Sequence, residues 1–389
     1  MKDWVKDFVG MLLILLDSRQ LRRIWDASAA SAVTVFEQKP LREITAITFL
    51  LPELVGFGGG TTSILKLGTE LAKMGKRVRF LTIAGESNPV RLREMAEQLY
   101  PAVQGDFCGI SGVGDMGGDV GIATSWETAY FLLRYQEYFR LGGYFIQDFE
   151  AGFYPLSHRF WLAYRTYQLG LVNIALGEWI PAVIRRFDSS LTVDSVTFPA
   201  DLRAYPIQAP RVYDPAQPLV LAVYLKRSFR RGGALVWDSL RAAKEAFGDK
   251  IEIEVYGLLP FRMRLPFGIN LGKLTAIQLR ALYSRAHVGV VASFSNVSLV
   301  PFEMLASGLP VIDFDGASTE AFFARDEMMF SGLSPHEFVA SLHRIIDAPT
   351  SMAPLVRKAQ QQLDGRSWEN SARQFIEVLE RCRRVDTPG

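Results

Sequence analysis

The sequence predicts an α/β protein of two domains, each with a mainly parallel sheet. Three observations carry that prediction. Short apolar runs alternate with segments whose apolar residues recur at helical spacing. A glycine trio, Gly58-Gly59-Gly60, follows the first apolar run, where an α/β unit turns from strand to helix. Between Tyr205 and Pro218 the chain gathers Pro206, Pro210, Pro215 and Pro218, the composition of an inter-domain linker, and a second α/β series starts beyond it.

The 389 residues suffice for two ordinary cores, and 49% hydrophobic with 22% charged residues predicts folding throughout. A net charge of +2 without a basic stripe gives no sign of nucleic acid. Cys108 and Cys382 fit no metal or disulfide spacing, which suits a reducing compartment. At the N-terminus, Met1 to Leu16 is too short in its apolar part to span a bilayer. It reads as a one-sided helix for the protein's own surface or for lipid, with Lys2, Lys6, Arg19, Arg22 and Arg23 flanking Trp4, Phe8, Leu12 and Leu13.

In order, Ile44 to Leu51 is a strand, and Thr61 or Thr62 caps a helix carrying Ile64, Leu67, Leu71 and Met74 until Gly75 ends it. Arg77 to Ile83 and Asp119 to Thr124 are strands, with Trp126 and Tyr130 at the start of the next helix. Gly143 to Asp148 is a strand ending in polar Gln147 and Asp148, with Glu150 just beyond, at the carboxyl edge where open α/β sheets bind ligands. Ile174 to Leu176 ends at Gly177-Glu178-Trp179, and Ile180 to Phe187 is helical. In the second series, Leu219 to Leu225, Ile251 to Tyr256, His287 to Ala292 and Val311 to Phe314 are strands. Helices at Leu235 to Phe247 and Thr275 to Ser284 alternate with them, and the last, Glu369 to Arg383, is long enough to cross back to the first domain. The organisation expected is residues 1–40 as a helical extension, 41–210 and 211–368 as domains, and 369–389 as the returning helix.

Chemistry concentrates between Val290 and Phe314. Ser295, Asn296, Val297, Ser298 and Leu299 read as a small polar loop ahead of a helix over Phe302 to Ser307, stopped by Gly308 and Pro310. The positive end of such a helix suits phosphate, and Glu303 inside it suits a ribose with hydroxyl donors. Lys226, Arg227, Arg230 and Arg231 crowd the turn after the second series' first strand, where fixed cations stabilise a departing diphosphate. No Asp-x-Asp stands at a strand end, and His158, His287, His336 and His343 are scattered, so metal-independent chemistry is expected, without a cofactor.

These residues resemble the GT-B glycosyltransferases of family 4, whose paired glutamates have the spacing of Ser295 and Glu303 and are followed by Gly-x-Pro-Val. Glu303, Ala306, Gly308, Pro310 and Val311 match, while Ser295 stands where the first acid would be. Lys226 and Arg231-Gly232 keep the family's cation spacing with the two cations exchanged. The stretches A-T-S-W-E-T-A-Y from Ala123, Y-F-I-Q-D-F-E-A-G-F-Y-P from Tyr144, G-E-W from Gly177 and S-N-V-S-L-V-P-F-E-M-L-A-S-G-L-P-V from Ser295 resemble WsaF-type rhamnosyltransferases and rhamnan-synthesis proteins. The resemblance implies a GT-B fold, two Rossmann-like domains with mainly parallel sheets facing across a cleft. It implies a retaining, metal-independent transferase moving rhamnose from dTDP-L-rhamnose to a glycan or lipid-linked glycan of the cell surface.

By the same resemblance, Gly59, Gly60 and Thr61 approach donor phosphates or acceptor, and Lys226 and Arg231 bind the diphosphate. Asn296 to Leu299 offer amides, Glu303 holds the nucleotide sugar, and Lys273 and Leu274 lie near the base. Gln147 replaces a histidine, leaving proton removal to Asp148, Glu150 or the departing phosphate. Trp126 and Tyr130 are either a platform for a sugar ring or core. A different nucleotide sugar, or a binding subunit without turnover, are the other readings. Expected surroundings are the cytoplasm and the inner face of its membrane, touched through residues 1–24, with a homodimer left open.

Overall fold

In a computed structural model, the described residues are Ser18, Leu21, Arg22, 35–54 and 59–383. The helix expected over residues 1–24 falls almost wholly outside them, as does Gly58. They divide into two compact units. Unit 1 takes the described residues up to Leu176, Ile180–Val196 and those from Ser371 on; unit 2 takes Gly177–Trp179 and Thr197–Asn370. The proline-rich stretch read as the linker thus lies inside unit 2, and most of the last helix belongs to unit 1.

Among the described residues unit 1 holds one seven-stranded sheet. Its strands are β1 (Ala46–Leu51), β2 (Arg77–Thr82), β3 (Asp106–Gly109), β4 (Gly118–Ala123), β5 (Phe139–Ile146), β6 (Val172–Leu176) and β7 (Asp194–Val196). They lie in the order β3-β2-β1-β4-β5-β6-β7, all parallel. Every residue of β1 is buried, so the strand reads as a continuous apolar run, as helices on both faces require. Phe49 pairs in register with Phe80 and stacks on it at 5.8 Å. Phe375, from the Trp368–Cys382 helix, packs on Phe49 and edge-on to Phe145. The Gly59–Lys73 helix can lie close to the sheet because a Cβ at Gly68 would stand 2.6 Å from the Phe80 ring. That helix begins at Gly59, so Thr61 and Thr62 are not its caps but sit in its first turn.

Unit 2 holds a second seven-stranded sheet, among the same described residues. Its strands are β8 (Leu219–Tyr224), β9 (Ile251–Tyr256), β10 (Met263–Leu265), β11 (Gly268–Asn270), β12 (Val288–Val290), β13 (Val311–Phe314) and β14 (Met329–Ser331). Their order is β10-β11-β9-β8-β12-β13-β14, parallel except for the β10–β11 hairpin. Leu221, Val223, Ile253 and Val290 form its core with Leu240, Phe338 and Leu342 from the covering helices Gly233–Phe247 and Pro335–Asp347. In both sheets the strand order reverses beside the first strand, at β1/β4 and β8/β12, where loops part and leave room for a ligand.

The helix expected from Phe302 starts earlier and runs Leu299–Ala306. It is stopped at Gly308, which has φ +75° and whose carbonyl accepts from Arg211 N at 2.7 Å. A Cβ there would meet Ala209 O at 2.2 Å, a backbone atom that cannot turn aside. Gly308→Ala is therefore expected to lower unfolding free energy by about 2 kcal/mol or more. Urea titration that shows an unchanged midpoint would contradict this packing.

Candidate functional site

Unit 2 gathers the cations at the carboxyl end of β8. The chain turns back on itself there, with Ser228 O accepting from Arg231 N at 3.0 Å and Phe229 O from Gly232 N at 3.0 Å. Gly232 takes the left-handed region at φ 54°, and a Cβ on it would lie 2.7 Å from the Phe294 ring. This tight turn returns Arg231 towards Lys226. The half-buried Lys226 ammonium is held below its usual range first by burial, then by Arg231 and Lys273. Its Nζ lies over the Tyr224 ring, 5.4 Å from the centroid. Arg231 Nη1 is buried without a hydrogen-bond partner, whereas Arg227 is exposed. Like charges held together with a buried donor unspent form a site that an anion would stabilise.

The loop after β12 is equally fixed. Asp313, fully buried on β13, accepts from Ser293 N at 3.2 Å, Phe314 N at 2.8 Å and Thr319 Oγ1 at 2.8 Å. Burial pushes its carboxyl up to about 6 against those hydrogen bonds. Ser295, Asn296 and Val297 are buried behind it, and Ser298 and Leu299 are half-buried. Ser298 precedes the Leu299–Ala306 helix without capping it through its side chain, and no acid stands in the first turn. The leading amides of that helix are thus open to an acceptor other than a cap.

Glu303, in the second turn and half-buried, lies close enough to Tyr205, Tyr224, Tyr256 and Tyr283 to push all four phenols upward. For each of the four, burial is the larger cause. Tyr256 and Tyr283 share a 2.7 Å hydroxyl contact. Burial pushes the Tyr224 phenol upward first, and the ring at the end of β8 also feels both Arg231 and Glu303. Lys273 is exposed and Leu274 half-buried in the loop after Gly272. Unit 2 therefore brings Lys226, Arg231, Lys273 and Glu303 into one neighbourhood.

In unit 1, Gly60 meets the Gln147 side chain, a Cβ on it standing 3.6 Å from Nε2. The exposed start of the Gly59–Lys73 helix and the end of β5 thus adjoin, with Thr61 half-buried nearby in sequence. Asp148, half-buried, accepts from Phe149 N at 2.9 Å. Glu150 is different. Its Oε2 accepts from Tyr144 OH at 2.8 Å and from Trp126 N, and burial pushes its carboxyl up to about 8 despite both bonds. It is a core group that ties β5 to the start of the Trp126–Arg134 helix. Trp126 and Tyr130 are core as well, which corrects their reading as a sugar platform. Trp126 packs edge-on against Tyr154 at 5.9 Å, and Tyr130 OH donates to Leu162 O at 2.9 Å. The S-W-E-T stretch serves as a capping box, with Ser125 and Thr128 in reciprocal hydrogen bonds.

Sequence reasoning missed Asp313 and the tyrosines. An acid inside the buried run V-I-D-F is the signal that could have found the first. Among the described residues no group of three or more His, Cys, Asp or Glu could hold a metal ion.

Two Rossmann-like sheets, the second with a cationic first turn and a Gly-x-Pro stop after the helix that follows β12, decide the architecture. The fold is GT-B. HepE of Anabaena, solved with UDP-glucose, matches with a TM-score of 0.66 and 13% identity over 86% of this chain and 99% of that one. A TarM variant of S. aureus gives 0.65 and 8% identity over 86% and 99%. WaaG, a glycosyltransferase involved in lipopolysaccharide biosynthesis, gives 0.58 and 13% over 85% and 99%. At such identities the likeness is one of fold. In sequence, the O-antigen biosynthesis protein RfbC of Myxococcus xanthus is 27% identical over 269 residues, 64% of this chain and 20% of RfbC. The chain thus spans about one fifth of the length of that relative. No protein-family profile matches the chain.

The Glu150 environment predicts a pH signature. Its folded pKa of about 8 lies above the ordinary 4.5, so the folded chain binds the extra proton between those values. Stability should fall as pH rises from about 5 to 8, by an amount on the order of a few kcal/mol. Glu150→Gln keeps an acceptor oxygen without the charge and should flatten that slope. Urea midpoints measured across this window check it, and equal slopes in both proteins would refute the buried-carboxyl assignment.

Proposed function

We propose that this chain is a retaining, metal-independent glycosyltransferase that moves L-rhamnose from dTDP-L-rhamnose to a glycan or lipid-linked glycan of the bacterial cell surface. The observation that carries the reading is the cluster of Lys226, Arg231 and Lys273 beside Glu303 in unit 2. A nucleoside diphosphate has the matching pattern. Its diphosphate is anionic and its sugar ring offers hydroxyl donors.

In the reaction the bond between the sugar's anomeric carbon and the diphosphate oxygen breaks, and the acceptor oxygen forms the new bond on the same face. Negative charge grows on the departing phosphate, where Lys226 and Arg231 stabilise it more than they stabilise the bound donor. The open amides ahead of Leu299 add a partial positive charge. Glu303 accepts from the nucleotide's sugar hydroxyls. The acceptor proton passes to the departing phosphate oxygen or to Asp148. Gln147 orients a hydroxyl without taking a proton, and Glu150 acts through the backbone it holds.

Rhamnose is supported by the motifs and by Ser295. The buried position where the family has an acid carries a small hydroxyl, which suits a deoxy sugar with fewer hydroxyls to pair such an acid. The fold neighbour solved with UDP-glucose favours a second reading, a glucosyl donor on the same cations. Membership of O-antigen assembly is supported by the RfbC likeness.

Calorimetric titration with dTDP, UDP and GDP in chelator tests both readings. Expected is preference for dTDP, with affinity lowered about 10- to 100-fold in Lys226→Ala and in Arg231→Ala. Preference for UDP would install the second reading. Absence of nucleotide binding would remove the donor site altogether.

A further inference from the structure

Unit 1 carries an exposed aromatic and basic patch that the transfer chemistry does not use. The His158–Arg165 helix exposes His158, Trp161 and Arg165 at successive turns of one face, while Phe160 and Tyr164 turn inward. The end of the Trp179–Phe187 helix meets it. Tyr164 OH donates to Ile184 O at 3.4 Å, and the Phe187 ring lies 5.6 Å from Phe160 and 5.5 Å from Tyr164. The two helices thus share an aromatic seam whose outer members are left in solvent. Trp161 is 54% exposed and Phe187 51%, and Leu156, just ahead of the first helix, is 76% exposed.

Arg165, Arg185 and Arg186 are exposed around these rings, and Asp188 is the acid nearest in sequence to the second helix end. Arg185 donates to Val193 O at 2.8 Å and Asp188 accepts from Ser190, so Arg165 and Arg186 are the outward charges. Behind the seam, Phe149 stacks on Phe187 at 5.6 Å, and Phe149 directly follows Asp148.

We propose that this patch docks on the surface of an anionic lipid bilayer, with Trp161, Phe187 and Leu156 entering the headgroup boundary and Arg165 and Arg186 meeting the phosphates. Two features choose lipid over a protein partner. Tryptophan and phenylalanine beside arginine are the composition of membrane interfaces, where a ring with a polar edge is at home at the boundary. The charge on the patch is complementary to an anionic headgroup layer. Docking does not depend on the donor chemistry. If the proposed transfer also holds, the patch brings a lipid-linked acceptor to the end of β5 that carries Asp148.

The test is co-sedimentation of the full chain with vesicles of phosphatidylcholine alone and of phosphatidylcholine with phosphatidylglycerol. Expected is binding to the anionic vesicles only, weakened by salt. Arg165→Gln and Arg186→Gln should each weaken it by about fivefold. Trp161→Ser should weaken it with an unchanged melting curve, since its ring is half in solvent. Phe187→Ser tests the seam, with Phe187→Leu restoring binding if the fold is intact. Equal binding by all variants, binding to neutral vesicles alone, or no binding would overturn the proposal. So would a concentration-dependent dimer, seen by sedimentation equilibrium, that Trp161→Ser abolishes.

Discussion

The loop after β12, at the carboxyl edge of the second sheet, depends on one buried carboxylate. Asp313 accepts the Ser293 amide from the loop after β12 and the Thr319 hydroxyl from the turn after β13. Ser318 N donates to Ser293 O at 2.7 Å and closes the same knot. A parallel strand ends in backbone groups that its neighbours do not satisfy, and a buried one needs partners. Here a single side chain meets the need for two loops. The cost is a charge in the core, visible in the upward push on its pKa, and the gain is a loop at 293–298 with a fixed path. The Leu299–Ala306 helix starts from that loop, so the direction of its open amides is inherited from Asp313.

The electrostatics of unit 2 bring like charges together beside a buried ring cluster. Lys226, Arg231 and Lys273 repel one another, and burial lowers the Lys226 pKa further. Glu303 sits among phenols that burial keeps neutral. Tyr224 carries the Lys226 ammonium over its face and is wedged at its edge against Gly257, where a Cβ would stand 3.0 Å from Cε2. Burial pushes its phenol upward first, while Arg231 and Glu303 act on it with opposite signs. One rigid ring at the end of β8 thus stands in the field of both charges.

Much of this was legible from residue patterns, and the exceptions have physical causes. The strands β1 and β8 announce themselves as apolar runs because helices cover both faces of a parallel sheet, while β9, I-E-I-E-V-Y, shows itself by alternation. Short edge strands such as β3, β7 and β14, three or four residues each, carry too few side chains to show a period. The helix expected from Phe302 starts at Leu299 instead, with Pro301 inside its first turn, where proline is tolerated because the leading amides have no helical partner. Tyr205 to Pro218 read as a linker from its prolines. The structure uses them as a strap across unit 2, with Gln208 N bonded to Ala306 O and Arg211 N to Gly308 O. Trp126 and Tyr130 show the limit of composition. An aromatic pair in a motif looks the same in sequence whether it faces a sugar or the core, and only packing tells them apart.

The acids of unit 1 divide for the same reason. Asp148 and Glu150 are two residues apart at the end of β5, and chemistry alone could assign either to proton transfer. Burial separates them. Glu150 faces inward, where Tyr144 and the Trp126 amide occupy one oxygen and the low dielectric favours its neutral form. A neutral carboxyl accepting in the core holds the strand end without repelling Asp148, whereas an ionised one would repel its neighbour's charge. The chain thereby fixes the Gln147-Asp148 step from behind, with Asp148 half-buried where Glu150 is wholly in the core.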